Sequence, residues 1–88
     1  MNHFATPGFW FHYRQLPDEF RELADKYFAL LRANPGHPSL RFKKVGNVWS
    51  ARVGLRHRAL ARQRNEGFVW FWIGGHDEYE RLIAQSYS

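Results

Sequence analysis

No cysteine occurs among the 88 residues, which excludes a disulfide scaffold, a cysteine-built zinc finger and thiol catalysis. No apolar run approaches the roughly 18 residues that a transmembrane helix needs. The first residues also lack the basic-then-apolar order of a signal peptide. The expectation is therefore a cytoplasmic chain without a membrane partner. The fourth absence is local: between Arg41 and Arg64 there is no Asp or Glu. A hydrophobic content of 44% argues against a disordered tail, and the length suits one domain spanning 1–88 and leaves no room for a second core.

The gap in carboxylates organises the charge. Arg41, Lys43, Lys44, Arg52, Arg56, Arg58, Arg62 and Arg64 give that stretch +8, whereas the whole chain carries only +5. A solvated face normally mixes both signs, because like charges repel and find no partner. Six of the eight cations are arginines, whose planar fork suits bidentate phosphate contacts. The block reads as a surface for a polyanion, with RNA as the candidate; the plainer reading is a basic face that only keeps the protein soluble.

Helical and strand periodicities follow one another. After a brief strand at 2–5, Thr6 and Pro7 form a helix-start signal, and Phe9, Tyr13 and Leu16 recur at helical spacing over about 7–15. Pro17-Asp18-Glu19 opens a second helix over about 18–33, in which Phe20, Leu23, Ala24, Tyr27, Leu30 and Leu31 make one apolar stripe. Asn34-Pro35-Gly36 stops it. Four strand-like runs come next: Leu40–Val45, Val48–Val53, His57–Gln63 and Phe68–Ile73, with Gly46-Asn47 and Asn65-Glu66-Gly67 as turns. The last run is apolar on both faces, as a covered central strand would be. Gly74-Gly75 ends it, and a terminal helix is predicted over His76–Gln85. The fold class is α+β, with an N-terminal helical hairpin on one face of a mainly antiparallel sheet and a C-terminal helix.

Alternation puts Ser50 and Arg52 on one strand face and Trp49, Ala51 and Val53 on the other. Arg58 and Arg62 likewise share a face opposite His57, Ala59 and Ala61. The small apolar set suits packing under helices, so the arginines are expected on the uncovered side, where they can hold a phosphodiester and stabilise charge growing on phosphorus. Pairing of Arg52 and Arg58 with Asp77, Glu78 or Glu80 is the structural alternative. His76 stands where the apolar strand meets the acidic helix, a position suited to proton exchange near neutral pH. His3, His12, His37 and His57 fall at no metal-ligand spacing, and there is no phosphate loop or nucleophile elbow, so neither metal nor cofactor is predicted.

In order along the chain, Asn34-Pro35-Gly36-His37-Pro38-Ser39-Leu40-Arg41-Phe42-Lys43-Lys44-Val45, Arg52-Val53-Gly54, Arg58-Ala59-Leu60 and Trp72-Ile73-Gly74-Gly75-His76-Asp77-Glu78-Tyr79 resemble the RelE/ParE toxin superfamily of bacterial type II toxin–antitoxin systems. The resemblance covers nearly the whole chain and implies a microbial RNase-like fold. It implies a ribosome-dependent, metal-independent mRNA endonuclease in which Arg58 binds phosphate, Arg52 supports it, and His76 and Tyr79 lie near the scissile step. Arg41, Lys43 and Lys44 match the stretch that contacts RNA, and Arg56 and Arg62 extend the basic surface. The sequence departs from the family where Trp49-Ser50-Ala51 replaces a Lys-x-Lys pair, and where His57 replaces an aromatic residue. The partners implied are the ribosome and mRNA together with an acidic antitoxin whose tail covers Arg52, Arg58 and His76 or displaces the helix around Tyr79. ParE members share the fold but inhibit DNA gyrase by protein binding, which is the alternative function; an inactive homologue that only binds antitoxin is another.

Overall fold

Thr6 and Pro7 start the first helix as the sequence predicts, with Thr6 Oγ1 accepting the Phe9 N–H at 3.1 Å. The computed structural model describes residues 1–87. Its elements are β1 (His3–Ala5), α1 (Pro7–Arg14), α2 (Asp18–Ala33), a 3-10 turn (Pro38–Leu40), β2 (Lys43–Val45), β3 (Val48–Val53), β4 (His57–Arg64), β5 (Gly67–Gly75) and α3 (His76–Leu82), the last continued by a π turn (Ile83–Tyr87). The strands form one mixed sheet in the order β1-β5-β4-β3-β2, parallel between β1 and β5 and antiparallel elsewhere. Among the described residues no helix is long and apolar enough to cross a membrane.

Helices α1 and α2 lie on the sheet face that presents Ala51, Val53, Ala59 and Ala61, where Leu16, Ala24 and Leu31 bury against Trp70 and Ile73. Small residues on the strands let the helices approach, and their own stripes supply the bulk. Each helix is anchored to a different strand, α1 on β5 and α2 on β3. The opposite face is not bare, as the arginine alternation led one to expect. Val48, Leu60 and Trp72 form a second, smaller core there, capped by Tyr79 and Leu82 from α3.

A β-bulge makes the two cores possible. Leu60 pairs with Trp72 but Ala61 pairs with Trp70, leaving Phe71 as the extra residue. Strict alternation would turn both tryptophans to one side; the inserted residue reverses the phase, so Trp70 enters the helix-side core and Trp72 the α3-side core.

Two elements differ from expectation. The run predicted from Leu40 is a strand only from Lys43, because His37 and Pro38 start a 3-10 turn and Arg41 closes it in the left-handed region (φ 43°). Gly74 and Gly75 do not stop β5; they pair with Arg58 and His57. A Cβ on Gly74 would stand 2.4 Å from the Trp72 ring, so the glycine makes room for the tryptophan while the ladder continues.

Two histidines belong to the helix-side packing. The Trp70 indole N–H donates to His3 Nδ1 at 3.0 Å, and the His57 ring lies 4.3 Å from that of Phe20. Burial holds both imidazoles below their usual pKa of 6.5, reinforced by the terminal ammonium and Arg32 at His3 and by Arg56 at His57. The folded state thus favours the neutral rings. Their contribution to stability is complete above pH 6.5 and is lost as pH falls through the lowered folded values.

Two outcomes follow from this packing. Urea unfolding midpoints should fall between about pH 7 and about pH 5, and His57→Phe should flatten that decline. Leu60→Ala should cost about 2–5 kcal/mol, whereas Leu55→Ala, at a side chain 83% exposed, should stay within about 0.5 kcal/mol.

Candidate phosphate-binding and proton-transfer site

Antiparallel pairing of β3 with β4 sets Arg52 directly opposite Arg58. The register puts both on the α3 side of the sheet, with Ser50 and Leu60. Like charges across a strand pair are destabilising, yet neither guanidinium has an ion-pair partner among the described residues. Arg58 Nη1 donates to the carbonyl of His57 at 2.9 Å, and its guanidinium lies 5.8 Å from the centre of the Tyr79 ring. Arg52 Nε is buried without a hydrogen-bond partner. Burial first, and then the neighbouring Arg52, push the Arg58 pKa below its usual value, with Arg41 adding to the same effect; Tyr79 and Glu80 oppose it. The result is a half-buried pair of cations held together by the sheet rather than by a carboxylate.

Helix α3 carries the rest of the site. Gly75 precedes it in extended conformation, so His76 becomes the first helical residue. The His76 N–H donates to the Arg56 carbonyl at 2.8 Å, tying the helix start to the β3–β4 turn. One turn on, Glu80 Oε1 lies 3.1 Å from His76 Nε2. That contact orients the ring and leaves Nδ1 as the other nitrogen for chemistry. Tyr79 is buried in the α3-side core, between the His76 ring at 6.0 Å and the Arg58 guanidinium.

The structure therefore brings Arg52, Arg58, His76 and Tyr79 to one margin of the sheet, although they come from two strands and a helix. Arg56 stands exposed at the adjoining turn, and exposed Arg41 is close enough for its charge to act on Arg58. Lys43 pairs with Ser50 and shares the arginine face; Lys44 pairs with Trp49 and belongs to the opposite one. Lys44 instead borders a polar notch with Trp49, Gln63 and Arg64. Arg62 extends the arginine face, its guanidinium 5.0 Å from the Phe71 ring centre. The terminal acids do not pair with Arg52 or Arg58. Glu80 takes His76 instead, a partnership signalled in sequence by the i,i+4 spacing on one helix face.

No protein-family model and no curated protein matches the chain. Its fold is similar to a solved structure of the YoeB/ParE toxin from Agrobacterium tumefaciens, at a TM-score of 0.64 and 16% sequence identity. The match covers 86% of this chain and 99% of that one. The likeness is one of fold, and the site has to be argued from its own residues.

Mutual repulsion of Arg52 and Arg58 gives the site a salt signature. Raising ionic strength from low to physiological should stabilise the native chain, by about 0.2–1 kcal/mol from this pair. Arg52→Met should lose that increment in thermal unfolding; an equal response in both proteins would place the repulsion elsewhere.

Proposed function

We propose that the chain is the toxin of a bacterial type II toxin–antitoxin module, a RelE/ParE-superfamily protein acting as a ribosome-dependent mRNA endonuclease. The observation that carries this reading is the facing, carboxylate-free pair Arg52 and Arg58 beside His76. A pair of cations without a paired carboxylate is suited to an anion supplied from outside, and a phosphodiester matches two adjacent guanidinium forks. In the reaction the ribose 2′-hydroxyl gives up its proton to water as its oxygen attacks the adjacent phosphorus, and the bond from phosphorus to the 5′-oxygen breaks, leaving a 2′,3′-cyclic phosphate. Arg52 and Arg58 stabilise the charge that builds on the phosphoryl oxygens. His76, oriented by Glu80, delivers the proton that the departing 5′-oxygen needs. Tyr79 packs beneath Arg58 and holds its guanidinium toward the substrate. Arg41, Lys43, Arg56 and Arg62 guide the RNA backbone toward the pair, while Lys44 meets RNA only where the strand wraps the sheet edge.

An acidic antitoxin segment is the partner we propose for the same face, since covering Arg52, Arg58 and His76 both neutralises the cations and closes the site. Helix α3 is a short element with its own small core, so displacing it would remove His76 and Tyr79 together.

Induced expression and ribosome-programmed mRNA cleavage test the mechanism together. Arg58→Ala should lower cleavage about 10²–10³-fold and His76→Ala about 10²–10⁴-fold, both with unchanged circular dichroism and both with loss of growth arrest. Full toxicity in both variants would overturn the assignment. Growth arrest accompanied by altered DNA supercoiling and intact mRNA would instead establish gyrase inhibition.

A further inference from the structure

A cleft of about 240 Å³ opens between α1 and α2 on the helix side of the sheet, walled by Phe4, Trp10, Tyr13 and Phe28 with Asp25 at its edge. Three of these rings are unusually open to solvent for their size: Phe4 at 48%, Trp10 at 44% and Phe28 at 43%. The cleft exists because each helix is anchored to a different strand, so their aromatic faces diverge over the sheet instead of closing on one another. Contiguous exposed aromatic surface of this kind marks a binding site more often than bare packing.

The polar atoms at the cleft restrict what it can hold. Tyr13 donates its hydroxyl proton to Asp25 Oδ1 at 2.8 Å, which leaves the second carboxylate oxygen and the phenol lone pairs as acceptors. The Trp70 indole N–H is donated to His3 Nδ1, so the neutral imidazole carries its proton on Nε2, a buried donor without a partner on a residue that also lines the cleft. Beside Asp25 and Tyr13 the cleft offers acceptors and ring faces, which favour a positively charged donor at that end; His3 offers a buried donor of its own. The chain itself uses this attraction at the rim, where the Arg32 guanidinium sits 5.8 Å from the Phe28 ring centre. The terminal ammonium, Arg32 and Arg21 are the cations that a ligand must share this region with, the first two acting on His3 and the third on Tyr13.

We propose that the α1–α2 cleft is a binding site for a small organic amine, a compact aromatic or cyclic body carrying an ammonium group, with the ring between Trp10 and Phe28 and the ammonium on Asp25. The cleft is on the helix side of the sheet and meets the site proposed above only at Arg52, whose side chain belongs to the opposite face with that of Arg58, so the inference does not rest on the function proposed above.

Titration of the full chain with phenethylamine, phenethyl alcohol and phenylacetate, followed by NMR at the assigned Trp10, Tyr13, Asp25 and Phe28 signals, tests it. The amine should give saturable shifts there and leave the Arg58 and His76 signals unmoved. The isosteric alcohol should bind about tenfold more weakly and the acid more weakly still. Asp25→Asn should erase the amine's advantage over the alcohol. Tyr13→Phe, which keeps the carboxylate and removes the hydroxyl, should preserve that advantage and control for loosening of the helices. Absence of saturable shifts, equal binding of amine and alcohol, or an amine preference surviving Asp25→Asn would each overturn the proposal.

Discussion

The bulge at Phe71 is the constraint on which the arrangement of this molecule depends. By inserting one residue into β5 opposite Leu60 and Ala61, it sends Trp70 to one face of the sheet and Trp72 to the other. Each tryptophan then seeds a core. The Trp70 side receives α1 and α2; the Trp72 side receives α3. Without the phase reversal, both large rings would crowd one face, and the other would have too little apolar surface to hold a helix. Because α3 is held, His76, Tyr79 and Glu80 arrive beside arginines that belong to β3 and β4.

Stability is given up at one place. Arg52 and Arg58 repel across the ladder, and Arg52 Nε is buried without a partner. Such a group costs on the order of 1–3 kcal/mol to bury, a cost that a single acidic residue in the neighbouring strand would relieve. None stands there. The carboxylate that does reach the site, Glu80, contacts the histidine and leaves the guanidiniums available. An arrangement that lacks an internal counter-ion suits the external anion proposed above, and this separates the pair from an ordinary surface arginine, whose contacts contribute little either way.

The two faces of the sheet are also chemically opposite. The α3 side is cationic and presents donors; the α1–α2 side is aromatic and, at the mouth of its cleft, presents the acceptors of Asp25 and Tyr13. Both properties come from the same strands, since alternation delivers arginine to one side and alanine or valine to the other. Small residues under the helices let α1 and α2 sit close to the sheet while their own aromatic rings project into the gap between them.

Much of this was legible in the amino-acid order. Period-3.6 and period-2 patterns located α2, β3 and β4 nearly to the residue, the Thr6-Pro7 cap located α1, and alternation assigned Arg52, Arg58 and Arg62 to one face, because these signals are local and depend only on spacing. The carboxylate-free block was visible for the same reason. The bulge was not legible, since an extra residue is defined only by its partner strand. The continuation of β5 through Gly74 and Gly75 depended on pairing with β4, with Gly74 leaving space for the Trp72 ring two residues away. The separation of Lys43 from Lys44, the capping of the arginine face by Tyr79, and the choice of His76 rather than an arginine by Glu80 were likewise decided by tertiary structure. Composition and periodicity determine which side chains share a face; only the register between strands and the docking of helices determine which of them meet, because contacts are made between segments whose relative positions no local spacing encodes.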